Sequence, residues 1–272
     1  MHKELLENIG EKELIKRLAG FMPKNQVSDD CAFIKSKNKK LLINTDSLVE
    51  NIHFSDDTIS ALDIGWKAVA CNVSDLISSG CSKIIGVNIG LVVPSKTEWI
   101  WIKDLYTGIH LALDHFGGLI LGGDCSVGKE KVISITALGT QGEIKLRRHL
   151  CKPKEIILTT GIHGLSKLGL MIKSKTFFDS DISLTQSLIN SSLKKFSKPK
   201  PKPKFLKKVI RTRPNKNIKT IGCTDSSDGL FQALLDLATE SNCKAIIDYK
   251  KVPKHKNWPE GKKWDKYYFF GG

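Results

Sequence analysis

The chain has 272 residues, 40% hydrophobic and 26% charged, which is the composition of a folded protein with room for two cores, not of a disordered one. No stretch approaches the roughly 20 apolar residues that span a bilayer, and the polar, acidic start MHKELLENIGEKEL lacks a signal-peptide pattern. The formal charge of +15 is local: Lys194 to Lys219 holds twelve basic residues and no acid, Lys244 to Lys266 eight basic and three acidic ones, and the remainder is nearly neutral.

In chain order, apolar spacing predicts a helix over Glu4–Leu18, ended by Gly20 and Pro23. LLINTD (41–46) reads as a strand running into a polar turn, and Ala61–Ser79 as an amphipathic helix stopped by Gly80. IIGVNIGLVV (84–93) reads as a buried strand and Thr97–His115 as a helix. GGLILGGD (117–124), KVISITALGT (131–140) and EIILTTG (155–161) follow as strands. Helices are predicted over His163–Lys173, Leu184–Phe196 and Gly229–Ser241, and KAIIDY (244–249) as a last strand. The mixture implies an α/β or α+β architecture, with a soft boundary near residue 150 separating residues 1–150 from 151–272. SKPKPKPK (197–204), read alone, is a stiff polyproline-like linker, although the helix-like FLKKVI follows at once. Seven cysteines scattered singly, without CxxC or Cys/His spacing, argue for reduced thiols in the cytoplasm and against a zinc module.

The aspartates carry the chemical signal. Asp29 and Asp30 stand together after a polar turn, Asp46 ends a strand in NTDS, and Asp75 lies near the end of an otherwise apolar helix. Asp124 ends a strand in LGGDCS, and Asp225 and Asp228 flank the start of a helix in TDSSDGL. Strand ends and helix starts are where α/β proteins gather ligands, and short carboxylates suit Mg²⁺, which shares oxygen ligands with substrate phosphates. Each also has a plainer reading. Asp228 serves equally as a helix N-cap, Asp124 as turn chemistry, and His53 as a surface histidine. Neither GxxxxGK[ST] nor GxGxxG occurs, so the two commonest nucleotide motifs are excluded, while Gly122-Gly123-Asp124 reads as a loop whose N–H groups approach a phosphate.

Taken in order, the blocks SDDCAFI, INTDSLVENIHF, DIGWKAVACNVSDLISSGC, LILGGDCSVG and TDSSDGL resemble the thiamine-monophosphate kinase family, within the aminoimidazole-ribonucleotide synthetase-like superfamily. Ser28 replaces a family glycine and Cys125 a threonine. The resemblance implies a two-domain fold: an ATP- and Mg²⁺-binding, dimerising domain over 1–150 and a second domain over 151–272, with KPKPKPKFL inside that second domain and not a linker. It implies ATP-dependent phosphorylation of thiamine monophosphate to thiamine diphosphate by a homodimer in the cytoplasm, without nucleic acid or membrane partners. By position, Asp30, Thr45, Asp46, Asp75, Asp124, Asp225 and Asp228 correspond to residues that hold several Mg²⁺ ions. Tyr106, Gly123, Asp124, Arg148 and Ser227 correspond to ATP-binding residues, and His53 to a substrate-binding one. No acid/base residue is implied, because the acceptor is a phosphate already ionised at neutral pH.

Two departures stand out. The family's RSGAxPGD segment becomes Arg148-His149-Leu150-Cys151-Lys152-Pro153-Lys154-Glu155, without its glycines. Four of the last six residues are aromatic, and the chain stops inside the family's GGEDYEL pattern, which reads as an exposed aromatic end and a shortened second domain. The expectations are therefore a kinase or, as alternatives, an inactive nucleotide-binding or dimerisation remnant, or another ATP-dependent synthetase of the superfamily.

Overall fold

The computed structural model describes residues 29–36, 39–176, 183–212 and 219–271, with positions 13, 16, 17 and 21 before them. The expected helix over Glu4–Leu18 therefore falls almost wholly outside the described residues.

Five strands form one sheet: β1 (Ala32–Ser36), β2 (Lys39–Val49), β3 (Cys81–Val93), β4 (Leu119–Val127) and β5 (Val132–Gln141), in the order β1-β2-β5-β3-β4. All neighbours are antiparallel except β3 and β4. Side chains alternate between faces at period 2. One face buries Leu42, Leu48, Val87, Ile89, Leu91, Ile133, Ile135 and Ala137. The other carries Thr45, Ser47, Ser134 and Thr136, joined in cross-strand pairs at 2.8 and 2.9 Å. The segment 84–93 is thus half-buried by alternation, not buried on both faces.

Helix α1 (Ala61–Ser78) covers the apolar face, and α2 (Trp99–Phe116) packs beside it. Ser60 caps α1 by accepting the Asp63 N–H at 3.2 Å. Two glycines set how closely the helices approach. A Cβ on Gly65 would lie 2.0 Å from the Leu105 carbonyl oxygen, and one on Gly108 would lie 1.8 Å from that of Leu62. The two backbones therefore touch where only hydrogen fits, which draws Leu105, Ile109 and Leu113 into the α1 core.

The later part is mostly helical: α3 (Leu165–Lys173), α4 (Gln186–Ser197), α5 (Pro203–Thr212), α6 (Leu230–Glu240) and α7 (Lys262–Phe270). Its strands β6 (Lys145–Arg147) and β7 (Thr220–Gly222) make a short parallel pair. Leu165, Leu168, Leu188, Leu230, Leu234, Trp258, Trp264 and Tyr268 form a second core. The aromatic end is not the exposed patch that the sequence suggests. It forms α7, which turns Trp264 and Tyr268 inward at 2% and 0% exposure and leaves Phe270 outside, 4.8 Å from Phe231.

Two further expectations are corrected. EIILTTG and KAIIDY form no strand, and Ile156, Leu158 and Ile246 stand 86%, 63% and 84% exposed. Strand propensity is realised only against a ladder partner, and among the described residues neither segment has one. The proline-lysine stretch, which the resemblance sets inside the second domain, is held against α1. The Trp66 Nε1–H donates to the Pro199 carbonyl at 2.8 Å, and the Lys200 ammonium sits 5.5 Å above the Trp66 ring. Lys198 also pairs with Asp63 at 3.2 Å, so part of the basic run is bound to α1.

Candidate active site

The site begins where the C-terminal half of α1 passes over β2. On β2, Asn44 and Asp46 point toward the helix. Asn72 and Asp75 lie three residues apart on α1, hence on one face. The Asn44 amide donates to the Asn72 side-chain oxygen at 3.0 Å and to Asp75 Oδ2 at 2.8 Å. That Asn72 oxygen also accepts the Asp46 backbone N–H at 3.2 Å, while its amide nitrogen donates to the Ala68 carbonyl at 2.9 Å. Two asparagines therefore lock strand to helix and leave the Asp46 and Asp75 carboxylates side by side.

Asp30 approaches from the loop before β1, where the Ser78 hydroxyl lies 2.8 Å from its Oδ2. Asp225 comes from the turn after β7 and accepts from the Ser74 hydroxyl at 3.3 Å. Arg148 bridges the groups: its Nη2 pairs with Asp30, its Nε donates to Thr224 Oγ1 at 3.1 Å, and its Nη1 lies 4.0 Å from Asp236. Asp228 and His53 border the group closely enough to act on the Asp46 charge. Asp228 caps nothing, since the residue before α6 is Gly229 and the cap has no side-chain bond.

Electrostatics set the character of this pole. Burial pushes the Asp75 carboxyl well above the ordinary carboxylate range, and Asp225, Asp46 and Asp30 push it further while the Asn44 hydrogen bond pulls it back. Asp225 is raised first by burial and then by Asp30, against Ser74 and Arg148. Asp46 is raised by burial, Asp228 and Asp30. Partly buried carboxylates that raise one another form a site with too little positive charge. Arg148 is the cation facing it; burial lowers its pKa, but Asp30, Asp236 and Asp225 outweigh burial and hold it raised.

His53 sits on the loop after β2, and its Nδ1 accepts the Val49 N–H at 3.0 Å. In the neutral ring the proton then lies on Nε2. The loop is held by Lys131, 2.6 Å from Glu50 and 2.5 Å from Asp56, and by the Trp101 Nε1–H, which donates to Asp56 at 3.0 Å. Thiols offer no competing nucleophile here, because burial pushes Cys71 and Cys223 up to about 12.

The sheet register separates the remaining expected residues from this pole. Asp124 shares a row with Gly90, Ser134 and Ser47, on the face opposite Asp46, and its carboxylate lies 3.3 Å from Ser126 Oγ. Thr45 points to that same open face, where it pairs with Thr136. The convergence expected of Asp30, Asp46, Asp75 and Asp124 is therefore found for the first three. Gly122-Gly123-Asp124 is strand, not loop; a Cβ on Gly123 would lie 1.9 Å from the Ile89 carbonyl oxygen, so close strand approach already requires glycine there. Tyr106, on α2, faces Cys125 at the same edge strand. Ser227 is exposed in the turn before α6. Asn44, Asn72, Ser74 and Ser78 were not picked out by the sequence; the available signal was their spacing of one to three residues from Asp46 and Asp75.

Among the described residues no three His, Cys, Asp or Glu side chains already form a closed ligand set for a metal ion. The donors are nevertheless all hard oxygens, with the Asn44 side-chain oxygen buried beside them and unpaired. That set fits Mg²⁺, whose coordination is ordinarily completed by water and substrate phosphate.

Residues 28–141 match the family described as AIR synthase related protein, N-terminal domain. Over 270 residues the chain is 44% identical to the thiamine-monophosphate kinase of Prochlorococcus marinus, covering 99% of this chain and 81% of that protein. It is 31% identical over 255 residues to the thiamine-monophosphate kinase of Synechococcus elongatus, covering 93% of this chain and 76% of that one. Among solved structures, AaThiL complexed with AMPPCP and TMP superposes with a TM-score of 0.83 at 24% identity, over 100% of this chain and 85% of that one. Thiamine monophosphate kinase from Aquifex aeolicus superposes with a TM-score of 0.80 at 24% identity, over 99% and 86%. The structural likeness shows the AIR synthase-like fold.

Proposed function

The chain belongs to the thiamine-monophosphate kinase family, and we propose that it transfers the γ-phosphoryl group of ATP to the phosphate of thiamine monophosphate. A phosphate oxygen of the acceptor forms the new P–O bond, the bond between the β–γ bridging oxygen and the γ-phosphorus breaks, and ADP leaves with that oxygen. No proton need be removed from an acceptor whose second pKa is about 6.

One observation carries this reading: a buried pole where burial and crowding, with Asp30 among the neighbours, raise Asp46, Asp75 and Asp225. Such a pole is suited to cations and phosphates, and to little else. Asp30, Asp46, Asp75, Asp225 and Asp228 would hold Mg²⁺. When bound, the ions would screen two polyanions whose unit charges repel by roughly 4 kcal/mol at 4 Å and an effective dielectric near 20. Arg148 offers a planar fork to a nucleotide phosphate, and exposed Ser227 a hydroxyl. His53 presents Nε2–H to the substrate phosphate. Thr45 and Asp124 start from the opposite face and are left out of this ligand set, while Gly123 and Tyr106 line the edge strand as a separate nucleotide contact.

That open face supports a homodimer. It carries exposed Ile34 and partly buried Ile43, Val92, Val132 and Leu138, and no helix of the described residues covers it. A second copy packed face to face would bury it, as isologous dimers do. No described helix is long and apolar enough to cross a membrane. The test is ADP release with and without thiamine monophosphate, with Asp75→Asn alongside. The expected result is release that depends on the acceptor and on Mg²⁺, reduced at least about 100-fold in the variant. Equal release without the acceptor would overturn the kinase reading in favour of ATP hydrolysis, and ATP binding without turnover would overturn it in favour of a nucleotide-binding protein.

A further inference from the structure

Asp29 is adjacent to Asp30, yet its carboxylate does not join the acidic pole. Its side chain is 8% exposed and faces the segment that follows β6. Its Oδ1 accepts the Arg148 backbone N–H at 3.0 Å, and its Oδ2 lies 3.2 Å from Arg147 Nε and 3.9 Å from His149 Nδ1. Arg147 is itself 3% exposed in its side chain, and its Nη1 donates to the Ser79 carbonyl at 3.3 Å, at the end of α1. One carboxylate thus holds three consecutive residues, by the backbone of the middle one and the side chains of its neighbours. Arg148 then projects its guanidinium the other way, onto Asp30, Thr224 and Asp236.

We infer that Asp29 is a positioning residue: through the Arg148 backbone N–H and the buried Arg147 guanidinium, it fixes where the Arg148 fork points, and so sets affinity for the nucleotide phosphates. This rests in part on the kinase reading above. The physical reason is the reach of arginine. A planar, bidentate contact tolerates little angular error, and a long side chain holds it only if its backbone is pinned. The segment from Arg148 to Glu155 contains no glycine, and Asp29 constrains its start from outside. The two neighbouring aspartates therefore divide the work: Asp30 faces the ligand pole, and Asp29 orients the cation beside it.

The experiment is a double-mutant cycle between Asp29→Ala and Arg148→Ala in the full chain, read as KM for Mg·ATP and for thiamine monophosphate. Asp29→Ala should raise the KM for ATP about 10-fold or more and leave that for the acceptor within about two-fold. In the Arg148→Ala background it should add less than about two-fold, because its effect passes through Arg148. Losses that multiply, or an unchanged KM for ATP, would overturn the inference. Removing Asp29 alone takes an ion-pair partner from the buried Arg147, so Asp29→Ala/Arg147→Met is carried through the same cycle in case the single variant does not fold. Amide exchange at Arg148 supplies a readout independent of activity, and protection there should fall in both variants. If the unaltered protein turns over no ATP, the kinase reading fails by itself. Unchanged Arg148 protection in the variants would then, separately, overturn the positioning role.

Discussion

The five-stranded sheet with α1 and α2 differs from the later, helical part in how it uses the same kind of sequence. In the first region every alternating apolar strand finds a neighbour, so Ile133, Ile135 and Ala137 on β5 are fully buried between β2 and β3. In the second, EIILTTG and KAIIDY are also apolar but have no ladder partner among the described residues, and Ile156, Ile157 and Ile246 stand in solvent. Its core is made instead by Trp258, Trp264 and Tyr268, with ring centroids 5.8 to 6.1 Å apart. The lesson is that β pattern is a request for a partner, and aromatic helices can supply a core without one.

The largest expected effects test whether the two cores are independent. Trp264→Ala should cost about 3–5 kcal/mol, and Gly108→Ala about 3 kcal/mol because its methyl falls on the Leu62 backbone. Each should lower only its own transition in denaturant unfolding followed by amide exchange. Loss of protection in both regions from either variant would break the comparison.

A smaller effect concerns pH, since the acidic pole lies where the regions meet. Asp46, Asp75 and Asp225 are raised in the folded state, so between about pH 4 and their raised values the native protein binds more protons than the unfolded chain. The slope of stability with pH is then negative. Metal-free protein in chelator should lose on the order of 1–2 kcal/mol between pH 5 and pH 8, and Mg²⁺ should recover it at pH 8. Chelated protein whose stability rises over that interval would contradict the crowding of these carboxylates.

The smallest effect is the sharpest contrast. Ile156→Ser and Ile246→Ser should change stability by less than about 0.5 kcal/mol, whereas Ile135→Ser on β5 should cost several kcal/mol by burying an unpaired hydroxyl in a cavity. Comparable losses at all three positions, in one set of urea titrations, would mean that the exposed segments are paired after all.

Much of the first region was legible from sequence alone. Period-2 and period-3.6 spacing located β2, β3, β5, α1 and α2 to within a few residues, because burial on one face imposes those periods. The ordered aspartate blocks also carried the family, and with it Asp30, Asp46, Asp75, Asp225 and Asp228. Tertiary structure decided the rest. Which face of the sheet a residue occupies depends on strand register, and register is what separates Asp124 and Thr45 from Asp46. The roles of Asn44, Asn72 and Asp29 likewise depend on partners 28, 26 and 119 positions away, contacts that no local pattern encodes. Local spacing reports what a segment can bury, whereas the neighbours of a polar side chain are set by the whole path of the chain.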